Sequence, residues 1–191
     1  NAHVVSDSTY LEVRPYGGAA SYRAEIAAVS HEADLAILTV DDGSFWRGRP
    51  ALQLGELPEV LQEVNVYGFP AGGDSLSLTK GVISRVEVNY YVHSGIDMLL
   101  VQIDAAVNSG NSGGPAIIDG SIAGVVSQRY DHLQNVNYMV PPPVIRHFLE
   151  DVADGRYDGF PELGLNWQTL ENESHRTLCG LPGDKTGILV V

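Results

Sequence analysis

Short segments rich in branched and aromatic residues, bounded by glycine, proline and aspartate, run along most of the chain, a pattern of strands joined by turns. It predicts nine strands, at 11–14, 22–29, 35–40, 63–67, 78–88, 98–104, 115–118, 122–128 and 136–140. Turn chemistry lies between them, at Gly17-Gly18, Asp41-Asp42-Gly43, Ala71-Gly72-Gly73-Asp74 and Asp119-Gly120. The last is a hairpin signal, flanked by Ile117-Ile118 on one side and Ile122 and Val125-Val126 on the other. Successive strands without intervening helical patterns predict an all-β barrel or sandwich rather than an α/β fold.

The polarity pattern changes after residue 140. Pro141-Pro142-Pro143 supplies a helix start, and Val144, Ile145, Phe148, Leu149 and Val152 form an apolar face that ends near Asp154-Gly155. Beyond Phe160-Pro161 the pattern restarts, with a strand expected at 162–167, a short helix at 173–179 and a strand at 186–191. Residues 156–161 therefore read as a linker and 162–191 as the beginning of a second module.

Composition narrows the function classes. The balance of 44% hydrophobic and 18% charged residues is that of a folded domain. A net charge of -13 argues against nucleic acid and against anionic membrane surfaces, both of which need Lys and Arg. The single cysteine, Cys179, excludes an intrachain disulfide and a multi-cysteine metal site. No apolar run approaches the length of a membrane-spanning helix.

Three short motifs carry chemistry. In Asn108-Ser109-Gly110-Asn111-Ser112-Gly113-Gly114-Pro115, glycines flank a serine. Such a turn exposes the hydroxyl and leaves backbone N–H groups free to stabilise an oxyanion. Alone it reads as a hairpin turn with a solvated serine; without Gly-Lys-Ser/Thr it is no phosphate loop. Asn1-Ala2-His3-Val4-Val5 offers a histidine that, alone, reads as a partly buried structural side chain. In His31-Glu32-Ala33-Asp34-Leu35-Ala36, an aspartate precedes an apolar strand, which alone reads as a turn residue. Together they supply a nucleophile, a base and a carboxylate to orient the base. Their order along the chain, His, Asp, Ser, is that of the chymotrypsin architecture. The remaining histidines, His31, His93, His132, His147 and His175, make no metal-ligand spacing. Asp97 and Asp104 read as turn or capping groups, Trp46 and Trp167 as packing anchors, and Cys179 as a buried thiol.

The three motifs, Asn-Ala-His-Val-Val, Asp-Leu-Ala-Ile-Leu and Gly-Asn-Ser-Gly-Gly-Pro, resemble the catalytic motifs of the HtrA/Deg proteases at similar spacings. Tyr67-Gly68-Phe69-Pro70-Ala71-Gly72-Gly73, Leu78-Thr79-Lys80-Gly81-Val82-Ile83-Ser84 and Gln102-Ile103-Asp104-Ala105-Ala106-Val107-Asn108 are similar to further family segments. Phe45-Trp46 and Tyr91-Val92-His93 lean towards the plant-type Deg branch. The resemblance implies a chymotrypsin-like double β-barrel over 1–155, with the first barrel incomplete, and the start of a PDZ-like domain over 162–191. Within the latter, Glu162-Leu163-Gly164-Leu165 matches the stretch leading into a carboxylate-binding loop, with Gly164 as a backbone donor.

The same resemblance assigns roles. His3 is the general base and then acid, Asp34 the orienting carboxylate and Ser112 the nucleophile. Gly110 and Ser112 give the oxyanion-hole N–H groups. Ala106, Val126, Ser127 and Gln128 line the substrate pocket, and with no charge at Ala106 that pocket favours small or medium apolar side chains. Asn111 replaces an aspartate that, in digestive relatives, pairs with a new N-terminus after zymogen cleavage, so that switch is expected to be absent. The implied reaction is peptide-bond hydrolysis through an acyl-enzyme, on unfolded or damaged proteins, without metal or cofactor. The implied assembly is a homotrimer or a multiple of trimers. The implied compartment is periplasmic or extracytoplasmic in a bacterium, organellar or nuclear in a plant. Two rivals remain: a non-enzymatic chaperone or scaffold, and a peptide-binding adaptor acting through its C-terminal module. With three first-barrel strands against six in the second, structured residues are expected before Asn1 and after Val191.

Overall fold

In the computed structural model, which describes residues 1–70, 75–129, 137–161 and 164–191, six strands close into a barrel and three form a separate sheet. The predicted turn at Ala71-Gly72-Gly73-Asp74, His132, the first residue of the strand predicted at 136–140, and Glu162-Leu163 lie outside the described residues. The chain forms two compact units, Asn1–Gly159 and Phe160–Val191.

The first unit opens with a single helical turn, α1 (Ala2–Val5), which the sequence pattern did not announce. Three antiparallel strands follow: β1 (Leu11–Val13), β2 (Tyr22–Ser30) and β3 (Leu35–Thr39). Leu11 pairs with Ala24 and Val29 with Ala36, and a bulge between Ile26 and Ala28 bends β2. A second one-turn helix, α2 (Gly43–Trp46), starts where the Asp42 carboxylate accepts the Ser44 N–H at 2.8 Å. Trp46 is exposed there, its indole N–H given to the Val40 carbonyl, and so is Trp167, which corrects the reading of both as packing anchors.

The barrel is made of β4 (Glu63–Gly68), β5 (Ser77–Tyr91), β6 (Ile96–Ile103), β7 (Pro115–Ile118), β8 (Ser121–Arg129) and β9 (Asn137–Val140), in spatial order β4-β5-β6-β9-β8-β7. In β4, Val64 and Val66 point inward while Glu63 faces water, as the two-residue period of a strand requires. Val64, Val66, Ile83, Val101, Ile103, Ala116, Val126 and Met139 fill the interior. Asp104 accepts the Val82 N–H at 2.6 Å beside the bulge between Ile83 and Arg85. β5 runs three residues beyond its predicted end at 88, because Asn89, Tyr90 and Tyr91 continue the ladder with Met98, Asp97 and Ile96. Helix α3 (Pro142–Asp151) follows the barrel, its Val144, Ile145 and Phe148 buried.

The second unit holds β10 (Trp167–Thr169), α4 (Glu173–Leu178) and β11 (Ile188–Val190). The strand expected at 162–167 begins only at Trp167; Gly164, at φ +62°, takes a left-handed conformation that strands exclude. β11 pairs antiparallel with β10, Gln168 opposite Leu189. Asn172 caps α4 by accepting from the Ser174 and His175 N–H groups. Cys179, at its C-terminal end, is exposed, not buried as expected.

Candidate active site

Residues 31–34 turn the chain from β2 into β3, and Asp34 ends that turn with φ at +54°, a left-handed value that aspartate tolerates better than most residues. Its backbone carbonyl accepts from the Ala2 N–H at 3.1 Å and from the Asn1 side-chain amide at 3.0 Å. Its carboxylate, 1% exposed, reaches back to the same helical turn. One oxygen accepts the His3 backbone N–H at 2.8 Å, and the other meets His3 Nδ1 at 2.6 Å. A carboxylate offers only acceptors, so the proton of neutral His3 sits on Nδ1 and the lone pair of Nε2 is free to take another. The separation of 31 positions in sequence becomes a doubly hydrogen-bonded pair.

Two residues from the end of the β5 ladder complete this cluster. Tyr91, fully buried, donates its hydroxyl to the Asp34 oxygen that also holds His3. The His93 ring stacks on the His3 ring, with centroids 4.1 Å apart and planes 4° from parallel. Burial would push the Asp34 carboxyl upward. The hydrogen bonds from the His3 ring, the Tyr91 hydroxyl and the His3 backbone outweigh it and hold the group below the ordinary carboxylate range. Burial, then the bond to Asp34, pushes the Tyr91 phenol up. Burial and the neighbouring His3 hold His93 below the ordinary histidine value. Ligand atoms of His3, Asp34 and His93 all lie within 4.8 Å of one another. However, the lone pairs of two stacked rings lie in parallel planes and do not converge on one ion.

The serine turn lies on the barrel. Gly110 and Gly113 take φ values of +98° and +84°, open only to glycine without strain. The Gly113 N–H donates to the Val126 carbonyl at 2.8 Å, and the Val126 N–H donates to the Gly114 carbonyl at 2.9 Å, so the turn is stitched to β8. A Cβ on Gly113 would come 3.1 Å from the Asn1 nitrogen, which sets the turn directly against the start of α1. Ser112 is half-buried, and its hydroxyl donates to the Ser127 carbonyl at 3.2 Å rather than to His3. Among the described residues, the N–H groups of Gly110 and Ser112 have no backbone acceptor. Asn111 is buried against Gly68, and its side-chain oxygen has no partner among the described residues.

The expected pocket residues divide. Ala106 is exposed, its carbonyl accepting the Thr79 hydroxyl at 2.8 Å. Val126 packs its side chain in the barrel core, while its N–H and carbonyl bond to the serine turn at Gly114 and Gly113. Ser127 is buried, giving its hydroxyl to the Tyr138 carbonyl at 3.3 Å, and the Gln128 backbone pairs with Tyr138. The sequence reasoning missed Tyr91 and His93 as neighbours of His3. Neither carries a local signal: Tyr91 ends β5 and His93 lies in the turn beyond it, and their role depends on contacts with residues far away in sequence.

A model of the trypsin-like peptidase domain matches residues 1–125. The chain is 47% identical over all 191 residues to mitochondrial protease Do-like 4 of Arabidopsis thaliana, of which it covers 37%. It is 44% identical over 182 residues, 95% of its length, to a serine protease DegP homolog of Plasmodium falciparum, covering 21% of that protein. The chain thus spans well under half the length of these relatives. Among solved structures, an HtrA-type protease, AlgW with a decapeptide, aligns with a TM-score of 0.77 and 24% identity over all of this chain and 57% of that one.

Proposed function

The chain belongs to the trypsin-like peptidase family, with the Do-like (HtrA/Deg) proteases as its relatives, and on that premise we propose that it is a serine endopeptidase with His3, Asp34 and Ser112 as its triad. The observation that carries the reading is the Asp34–His3 pair, a buried carboxylate on Nδ1 at 2.6 Å that leaves Nε2 as a base. In the proposed mechanism His3 Nε2 takes the Ser112 proton as the oxygen attacks the scissile carbonyl. The Gly110 and Ser112 N–H groups stabilise the oxyanion, and His3 returns the proton to the departing amine. Water then repeats the sequence on the acyl-enzyme. In this mechanism the Ser112 hydroxyl must first leave the Ser127 carbonyl for His3 Nε2.

The substrates proposed are unfolded or damaged proteins, and the pocket around Ala106 takes small or medium apolar side chains, since a buried cation there would be unpaired. A homotrimer or multiple of trimers, a PDZ-like continuation from 162 and, for a plant protein, an organellar location complete the proposal. The mitochondrial and chloroplastic names of the Arabidopsis relatives support that location. Cleavage of an unfolded protein, with the cut sites mapped, tests the reading. Ser112→Ala is expected to fold normally and lower kcat by several orders of magnitude. Undiminished cleavage by that variant, or cuts concentrated after Arg and Lys, would overturn the nucleophile or the pocket respectively.

A further inference from the structure

We propose that Tyr91 and His93 are positioning residues that hold the His3 imidazole and the Asp34 carboxylate in their working geometry from the barrel side of the site. The proposal rests on the reading of His3, Asp34 and Ser112 as hydrolytic machinery and extends it. The need for such support follows from the elements. His3 sits on α1, a helix of four residues, and one turn has little stability of its own. The bond from Nδ1 to Asp34 fixes one edge of the ring but leaves it free to swing about that bond. Nε2 must nevertheless stay aimed at Ser112, because small misplacements of a reacting group are costly. The face of His93, 4.1 Å away and nearly parallel, removes that freedom. Asp34 needs a third anchor for the same reason, and the buried Tyr91 hydroxyl supplies it on the oxygen that holds the ring. Tyr91 and His93 stand two apart, so one stretch of chain delivers both groups, and the His93 ring in turn leans on the Tyr91 ring at 5.5 Å.

The pair also suits the charge that develops. When Ser112 Oγ forms its bond to the carbonyl carbon, its proton passes to His3 Nε2 and the ring becomes an imidazolium. A neutral aromatic face stabilises a cation stacked on it, whereas a second imidazolium would repel it. The titratable groups acting on His93 are His3, Asp34 and Tyr91. Burial and His3 favour the neutral form of His93, which is the form the acylation step needs.

Kinetics as a function of pH on the full chain, with an unfolded protein as substrate, separate positioning from mere packing. Tyr91→Phe keeps the ring and removes the donor. It should lower kcat about tenfold with KM changed less than about twofold. It should also move the acid limb of kcat/KM to higher pH, because a carboxylate short of one donor pulls harder on the His3 proton and favours the imidazolium. His93→Ala should lower kcat about fivefold, and His93→Phe, which restores a flat face, should return it to within about twofold. An unchanged kcat and acid limb in Tyr91→Phe, a loss confined to KM, or equal behaviour of His93→Ala and His93→Phe would overturn the proposal. Should Tyr91→Phe not fold, the His93 pair decides alone, since that side chain is exposed. Wild-type protein that neither cleaves nor reacts with a fluorophosphonate would instead overturn the triad reading, and the proposal with it.

Discussion

At Asp34 one side chain answers three donors: the His3 backbone N–H, His3 Nδ1 and the Tyr91 hydroxyl. An asparagine has nearly the same shape but only one acceptor oxygen, and its NH2 would face a donor. Asp34→Asn is therefore expected to put the His3 proton on Nε2, the wrong nitrogen, and to lower kcat by about 10⁴. The carboxylate also links stability to pH. Its pKa is lower in the folded state than in the unfolded chain, where it is about 3.9. Its contribution is then fully present above that value and is lost as the pH falls through the lower folded value. Denaturant midpoints of wild type and Asp34→Asn should differ most near neutral pH and converge below about pH 4. A difference that stayed constant down to acid pH would contradict the assignment of those bonds to a charged Asp34. The aspartate was legible in sequence because it precedes an apolar strand. Tyr91 was not legible, because a hydroxyl 57 positions away leaves no local mark.

At the scale of elements, the turn from β2 to β3 that carries Asp34 is fastened by the segment after α3. The Tyr157 hydroxyl donates to the Glu32 carboxylate at 2.6 Å, so it accepts from the Ser30 hydroxyl, also at 2.6 Å. Ser30 in turn accepts the Ala33 N–H at 3.0 Å. Burial and the Glu32 bond push the Tyr157 phenol up to about 12, which keeps it a donor throughout the neutral range. Tyr157→Phe removes one member of this chain and should cost about 1 kcal/mol, a fall of a few degrees in Tm. Because the turn that sets Asp34 loosens, kcat should fall with it while KM holds. An unaltered Tm would show the strap to be incidental. The barrel strands were readable from their branched residues and bounding turns, and β7 matches its expected range of 115–118. The one-turn helices α1 and α2 were not readable. Four residues carry no periodicity, and tertiary contacts hold them: for α1, the Asp34 carbonyl and carboxylate. The short strand β10 was misjudged because the apolar pattern around Leu163 and Leu165 gave no sign of the left-handed turn at Gly164.

At the scale of the first unit, the site lies where the three-stranded sheet, with α1, meets the closed barrel. His3 and Asp34 come from one side, and Ser112, Ser127, Tyr91 and His93 from the other. Order along the chain and three short motifs pointed to residues on both sides. The way they meet, with Ser112 turned to the Ser127 carbonyl and His93 stacked on His3, depends on side-chain packing that no linear pattern encodes. On the barrel side the packing is tight: a Cβ at Gly114 would collide with the Tyr67 carbonyl of β4, so the serine turn and the barrel wall leave room only for glycine. The central claim is that this junction activates one serine. Labelling with a fluorophosphonate, followed by peptide mapping, tests it most directly, because the reagent reports the nucleophile without requiring a known substrate. A single adduct is expected, on Ser112, and it should disappear in His3→Ala while the fold is retained. A folded protein whose Ser112 stays unmodified, or is modified equally fast without His3, would contradict it.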